Sequence, residues 1–416
     1  MRILRLRDYY MPEIVASSHL SDDMDEAYMR NKIYCVNITP TPTRGITDNI
    51  YNEYRNIKYE ELYNGYIIVK RFAMIREKSN IFQRAFRYLL CSIVQLYKGC
   101  CEKDIDVIFG GSTPPTQGFF CAILKKFYKI RRRNVPFVYN LQDVFPDSLV
   151  NAGITEKGSY IWRIGSIIEN YTYKNADKII VISNDIKRNI MQKGVDGEKI
   201  ELIPNWTDTD IIYPIEKEKN NLYNEYNIDK KKFTVVYAGN IGKAQGSEII
   251  IKVAKVLQDV QFIIFGGGSE YESFIKEVNN QGLKNIIVNG LLPFERVSEV
   301  YSIGDIALIT CKPGTGIAGM PSKTWNIMAC NKPIVASFDI NSELSDIIYK
   351  SKAGICVEPG DANALVDTIL DLYNNPDKLE KLKNGRKYVV EHASKKYCTD
   401  KVINVLIEAY NDVYGE

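Results

Sequence analysis

From residue 233 onward, short apolar runs alternate with amphipathic stretches of helical spacing, and the connections between them are brief. Residues 233–238, 260–265, 285–288, 305–310, 333–337 and 354–357 read as buried strands, being rich in β-branched and aromatic residues and bounded by turn formers. Helical periods fall between them at about 246–257, 269–280, 294–303, 321–330, 342–349 and 361–373. Strict alternation of this kind predicts a parallel sheet covered by helices, in the Rossmann manner. The first half alternates in the same way, with strands near 2–6, 33–38, 66–70, 106–109, 137–140 and 178–182. Its connections are longer, notably 39–61, which reads as a loop.

Between the halves, 208–232 is dense in charge, Asn and Tyr and has no sustained period, so the domain joint is expected there. The reading is therefore an N-terminal domain at 1–207, a linker at 208–232, a C-terminal domain at 233–390, and a last helix at 391–416 that crosses back. Ligands of such folds bind outside the carboxyl ends of the strands.

Glycine-bearing turns stand at those ends. Gly239-Asn240-Ile241-Gly242-Lys243 closes one strand run, and its glycines allow a phosphate to approach backbone N–H groups while Lys243 adds charge. Gly266-Gly267-Gly268-Ser269 repeats the arrangement one unit later, either as a flat platform for a nucleoside or as a tight turn capped by Ser269. Gly319-Met320-Pro321-Ser322-Lys323 opens a helix, with Pro321 at its first position and Ser322 and Asn326 on one face. A lysine in a first helical turn opposes the helix dipole, so Lys323 is better explained by an anionic ligand than by the helix alone. Together the clusters point to a nucleotide diphosphate.

In the first half, Asp143 directly follows a buried-type strand, where it either faces the ligand edge or caps the next turn, as Asp147 does in the second case. Pro12-Glu13-Ile14-Val15-Ala16-Ser17-Ser18-His19 follows the first strand, and His19 is one of two histidines in the chain. Asp104-Ile-Asp106 and Asp208-Thr-Asp210 have the outline of a metal motif, but their places beside a strand start and the domain joint favour structural roles. Two basic stretches interleaved with aromatics, 80–98 and 125–133, suit either sheet packing or an anionic lipid surface.

A formal charge of +3 on 416 residues argues against a dedicated nucleic-acid binder. Nine cysteines in no zinc or disulfide spacing read as reduced thiols of a cytoplasmic protein, and no run approaches the roughly 18 apolar residues of a membrane span. The charged start Met1-Arg2-Ile3-Leu4-Arg5 is unlike a signal peptide.

The order and spacing of several segments carry a resemblance that spans nearly the whole chain. They are Tyr10-Met11-Pro12-Glu13-Ile14, Gln142-Asp143-Val144-Phe145-Pro146-Asp147-Ser148, Val181-Ile182-Ser183, Ile203-Pro204-Asn205-Trp206, Tyr237-Ala238-Gly239-Asn240-Ile241-Gly242, Phe265-Gly266-Gly267-Gly268, Pro321-Ser322-Lys323, Asn331-Lys332-Pro333-Ile334-Val335-Ala336 and Glu358-Pro359-Gly360-Asp361. This set resembles the family-4 glycosyltransferases, retaining enzymes of the GT-B fold, and is most similar to those building bacterial O-antigen, capsule and colanic-acid repeat units, including the fucosamine-transferase type. The resemblance implies an α/β protein with two Rossmann-like domains facing across a cleft.

It also implies a UDP-sugar donor, with the diphosphate near Gly242, Lys243, Ser322 and Lys323, the ribose near Asn326, and the base by Gly266, Gly267, Gly268, Leu291 and Leu292. Lys323 would stabilise the departing diphosphate and Asp143 would orient an acceptor hydroxyl, with Glu13, Ser17, Ser18 and His19 lining the acceptor side. The implied acceptor is a lipid-linked saccharide at the inner face of the cytoplasmic membrane, reached by peripheral contact through the basic helices; no metal or other cofactor is expected. One departure stands out, because the two glutamates that many members place around a seven-residue spacer fall here on Ala318 and Asn326, and the basic pair of the first phosphate loop falls on Asn240 and Gln245. The competing readings are a sugar-nucleotide epimerase of the same architecture and a degenerate scaffold.

Overall fold

The computed structural model describes residues 1–13, 18–77, 81–151, 153–316 and 320–415. The chain forms two compact units, one of Met1–Pro204 with Cys398–Glu416 and one of Asn205–Tyr397.

The first unit is built on β1 (Arg2–Leu6), β2 (Tyr34–Pro40), β3 (Tyr59–Leu62), β4 (Ile67–Phe72), β5 (Val107–Gly111), β6 (Phe137–Leu141), β7 (Lys178–Val181) and β8 (Ile200–Leu202). They lie in the order β3-β4-β2-β1-β5-β6-β7-β8, parallel throughout except β3 against β4. The chain winds outward from β1 to one side and then returns to β5 on the other. That reversal sets a switch point at the carboxyl ends of β1 and β5, where α/β sheets take their ligands.

The second unit holds β9 (Thr234–Asn240), β10 (Gln261–Gly267), β11 (Ile286–Gly290), β12 (Ile306–Thr310), β13 (Ile334–Ser337) and β14 (Gly354–Val357), all parallel in the order β11-β10-β9-β12-β13-β14. Strand side chains alternate in direction, so Val235, Tyr237, Phe262, Ile264, Ile306 and Leu308 fill the core on one face. Val236, Ile263, Phe265, Ala307 and Ile309 fill the core on the other. Burial on both faces is why these strands read as unbroken apolar runs. The switch point here lies between β9 and β12.

Two sequence expectations are corrected. The 39–61 segment is more than a loop: it contains the helix Asp48–Tyr54 and the edge strand β3. Its strand was hidden because Tyr59-Glu60-Glu61-Leu62 alternates between exposed and half-buried positions, as a polar edge strand does. The 208–232 segment is no free linker, since Ile212, Leu222, Tyr223 and Ile228 are buried in the second unit's core and Asn220 Nδ2 donates to the Glu299 carbonyl at 2.8 Å. The last helix runs over Lys395–Tyr414, and its residues from Cys398 group with the first unit, where Lys178 pairs with Glu408 at 3.7 Å.

The helix Ile81–Cys101 is inverted relative to an ordinary covering helix. Its buried stripe is Arg87, Cys91, Ser92 and Gln95, whereas Phe86, Leu89, Ile93 and Tyr97 point to solvent, with Phe86 61% and Tyr97 71% exposed. Two further helices continue this layer, Gln117–Ile130 packing on Ile81–Cys101 and Tyr160–Asn175 packing on Gln117–Ile130. Tyr160, Ile161, Ile164 and Ile167 of the last are likewise exposed.

Candidate functional site

The carboxyl ends of β9, β10 and β12 converge on one glycine-lined turn. Gly239 pairs in register with Gly266, and Asn240 with Gly267, so three small or bare residues end neighbouring strands together. Ile241 N donates to the Gly267 carbonyl at 2.7 Å, and Lys312 N, just past β12, donates to the Ala244 carbonyl at 2.9 Å. Close approach is what requires glycine here. A Cβ on Gly268, which has φ +131°, would stand 2.2 Å from Asn240 Oδ1 and 2.8 Å from the Ile241 carbonyl oxygen. Gly268→Ala is therefore expected to lower stability by about 1–3 kcal/mol through clash and strain, measurable as a reduced urea midpoint; an unchanged midpoint would show that the turn can relax.

Lys323 reaches into this turn from the helix Lys323–Ala329. Its Nζ lies 3.4 Å from the Ala238 carbonyl oxygen and 4.0 Å from the centre of the Tyr237 ring. No carboxylate pairs with it among the described residues, and burial pushes the amine down to about 7. Burial also pushes the Tyr237 phenol up, and its hydroxyl donates to the Asn240 carbonyl at 2.6 Å. A half-buried amine held by a carbonyl and an aromatic face thus has no counter-charge among the described residues.

The other predicted residues of this unit divide. Gly242 is buried within the turn, where Asn240 Nδ2 donates to Gln245 Oε1 at 3.0 Å across it. Lys243 and Ser322 are exposed beside it. Pro321 precedes the helix rather than opening it, with Ser322 at the N-cap, and Glu270 rather than Ser269 stands at the N-cap position of the helix after 268, with no side-chain cap hydrogen bond. Leu291 lies over Gly267, while Leu292 is turned into the core. Asn326 does not stand free: its Oδ1 accepts from the Thr207 hydroxyl at 2.7 Å. Ala318 and Gly319 lie outside the described residues.

In the first unit, Asp143 is exposed past the end of β6, and its backbone N–H donates to Ser112 Oγ at 3.2 Å. Asp147 is committed to Lys193 at 2.9 Å. Glu13 is buried and its carboxylate accepts from the backbone of Thr43 at 2.7 Å, Arg44 at 2.9 Å and Tyr10 at 3.3 Å, which makes it a brace for the 43–44 turn rather than a substrate contact. His19 is exposed in the first turn of the helix Ser18–Arg30, whereas Ser17 and the side chain of Ser18 lie outside the described residues. The basic stretch 125–133 is also partly committed: Lys125 pairs with Asp177 at 2.7 Å and Arg133 donates to the Ile105 carbonyl at 3.0 Å, leaving Lys126, Lys129, Arg131 and Arg132 outward. All nine cysteines are free thiols. No group of acidic, His and Cys side chains suited to a metal occurs among the described residues.

Sequence reading missed the groups gathered at the β1, β2 and β4 ends, namely Asp8, Tyr9, Arg44, Glu77, Arg84 and Arg87. Only Arg84 and Arg87, at helical spacing, offered a signal.

Two α/β units with parallel sheets of this topology are those of the GT-B class. Residues 50–211 match the family described as Glycosyltransferase Family 4, and residues 218–388 match Glycosyl transferases group 1. The two matched regions together span most of the chain and support a family-4 glycosyltransferase of GT-B fold. It is 29% identical over 276 residues to the probable glycosyltransferase WbjE of Pseudomonas aeruginosa, covering 64% of this chain and 66% of that one. It is 28% identical over 235 residues to WcaI of Escherichia coli K12, a candidate colanic acid biosynthesis glycosyl transferase, covering 55% and 58%. The matched part thus spans less than two thirds of the length of each of these relatives. Among solved structures, Anabaena HepE in complex with UDP superimposes with a TM-score of 0.71 at 16% identity, over 98% of this chain and 100% of that one.

Proposed function

We propose that the protein is a retaining glycosyltransferase that moves a sugar from a UDP-sugar to a lipid-linked saccharide in bacterial surface polysaccharide or glycolipid synthesis. The observation that carries the reading is Lys323, an amine with no carboxylate partner among the described residues, set against the glycine turn at the β9 end. A diphosphate supplies the charge that this site lacks. Lys323 and the turn's N–H groups would stabilise the negative charge that grows on UDP as the glycosidic bond breaks, an electrostatic contribution that needs no motion at the moment of reaction. The departing phosphate oxygen would take the acceptor proton, so no separate protein base is required, and Asp143 would orient the acceptor hydroxyl. The UDP named with HepE and the transferases named among the relatives support this over the epimerase and scaffold readings.

A membrane contact is proposed with it. No helix among the described residues is long and apolar enough to cross a membrane. The outward apolar stripes of Ile81–Cys101 and Tyr160–Asn175, rimmed by Lys126, Lys129, Arg131 and Arg132, suit the interface of an anionic leaflet.

Thermal denaturation in the presence of UDP, GDP and ADP, followed by a panel of UDP-sugars, tests the donor assignment. UDP at about a hundred times its Kd should add about 2.7 kcal/mol and raise Tm by several degrees. No shift with any of the three nucleotides would remove the donor site.

A further inference from the structure

Three arginines meet one carboxylate at the ligand edge of the first unit. Glu77 lies 3.0 Å from Arg84, 3.6 Å from Arg87 and 3.7 Å from Arg44. The groups arrive from separate elements: Tyr9 follows β1, Arg44 follows β2, Glu77 follows β4, and Arg84, Arg87 and Tyr88 belong to the first turns of Ile81–Cys101. Tyr9 OH donates to Glu77 Oε2 at 2.5 Å and lies 3.0 Å from Tyr88 OH. Arg87 is 1% exposed; it donates to the Ile75 carbonyl at 3.2 Å and to Thr43 Oγ1 at 3.0 Å, yet its buried Nη1 has no hydrogen-bond acceptor. Glu13, by holding the Thr43 and Arg44 N–H groups, fixes the turn that presents Arg44.

The charges do not balance. One carboxylate, Glu77, faces three guanidiniums; of the other nearby acids, Asp8 is fully enclosed with its carboxyl pushed up to about 7 by burial, and Glu13 is buried, its carboxyl likewise pushed up by burial and taken up by three backbone N–H groups, so both are weak counter-ions. Burying an arginine with an unmet N–H is costly unless an anion completes it. Arg44 and Arg84 are each more than a third exposed, so the cluster opens to solvent.

We infer that Arg44, Arg84 and Arg87, with Tyr9 and Tyr88, form a binding subsite for a phosphate or diphosphate ester. Within the proposed function, on which this assignment of role rests, the ester belongs to the acceptor, and the subsite selects acceptors whose first sugar is joined to a phosphorylated carrier. Paired guanidiniums suit phosphate because each offers a fixed fork of N–H donors to its oxygens.

The test uses the full chain carrying Lys323→Met, which disables the donor site, and titrates it calorimetrically with inorganic pyrophosphate. A saturable site is expected, and adding Arg44→Gln and Arg84→Gln should weaken it at least about tenfold, the loss of about two charge-assisted bonds. Absence of saturable binding before the arginine changes, or a smaller loss after them, overturns the proposal. Should the combined variant not fold, Arg44→Gln alone, at a largely exposed side chain, should cost at least about threefold, and less than that overturns it. Phosphatidylcholine vesicles with and without a polyprenyl diphosphate identify the source. Arginine-dependent binding to the loaded vesicles alone supports a lipid carrier, and arginine-dependent binding of pyrophosphate without it supports a soluble phosphate ester. Failure of wild-type protein to bind UDP would strike the donor reading while leaving this site intact.

Discussion

Lys323→Met is expected to weaken UDP binding by about 10- to 100-fold, the worth of a charge-assisted hydrogen bond in a half-buried site, while raising the thermal stability of the empty protein. Both signs follow from one fact. Burial holds the amine at about 7 against 10.5 for a free lysine, so the fold favours the neutral form and the diphosphate favours the charged one. In the empty wild-type protein the unfolded chain binds the extra proton between pH 7 and 10.5, hence stability attributable to this residue rises with pH across that window. In the complex the anion returns the amine to its charged form. UDP binding should therefore take up about one proton above pH 7, and affinity should fall by about tenfold per pH unit from roughly pH 8 to 9, where the phosphate is already fully ionised. Calorimetric titrations in buffers of different ionisation enthalpy measure that uptake directly. In Lys323→Met the pH slope of the weakened binding should vanish. A variant that binds UDP as tightly as wild type, or with the same slope, would place the diphosphate elsewhere.

How much of this could be read from the chain depends on where each residue's partners come from. The central strands were legible because β9, β10 and β12 are covered on both faces and carry few polar residues. Lys323 stood out for the opposite reason: its charge conflicts with the local helix, and the structure gives it no carboxylate partner among the described residues. The edge strand β3 was not legible, since its stability comes from pairing with β4 across Tyr59 to Lys70 and Leu62 to Ile67 rather than from its own apolar content. Nor was the commitment of Asn326, whose partner Thr207 lies 119 residues away, or that of Glu13, whose carboxylate accepts from a backbone N–H 30 residues on. Helical spacing located the apolar side of Ile81–Cys101 but assigned it inward as readily as outward. Only the polar partners of Arg87 and Gln95, the Thr43 hydroxyl and the Arg7 carbonyl among them, decide that the polar stripe is the buried one.

That inversion yields the second large effect. Replacing Phe86, Ile93, Ile164 and Ile167 together by serine should leave the fold nearly as stable as before, because each already faces water and surface changes usually stay within about 0.5 kcal/mol. Binding to vesicles containing anionic lipid should nevertheless drop by about 100-fold or more, taking about 1 kcal/mol for each partly inserted side chain. The basic rim makes a separable contribution. Neutralising Lys126, Lys129, Arg131 and Arg132 should abolish most of the salt dependence of binding, since charge attraction is screened over about 8 Å at physiological ionic strength while apolar insertion is not. Transfer to a water-soluble acceptor analogue should be unaffected by the serine changes, and transfer to an acceptor carried in vesicles should fall with the binding. If the serine variant floats with vesicles as wild type does, the stripe serves another partner; if both transfer reactions fall equally, the substitutions have reached the site itself rather than the surface that brings it to its lipid.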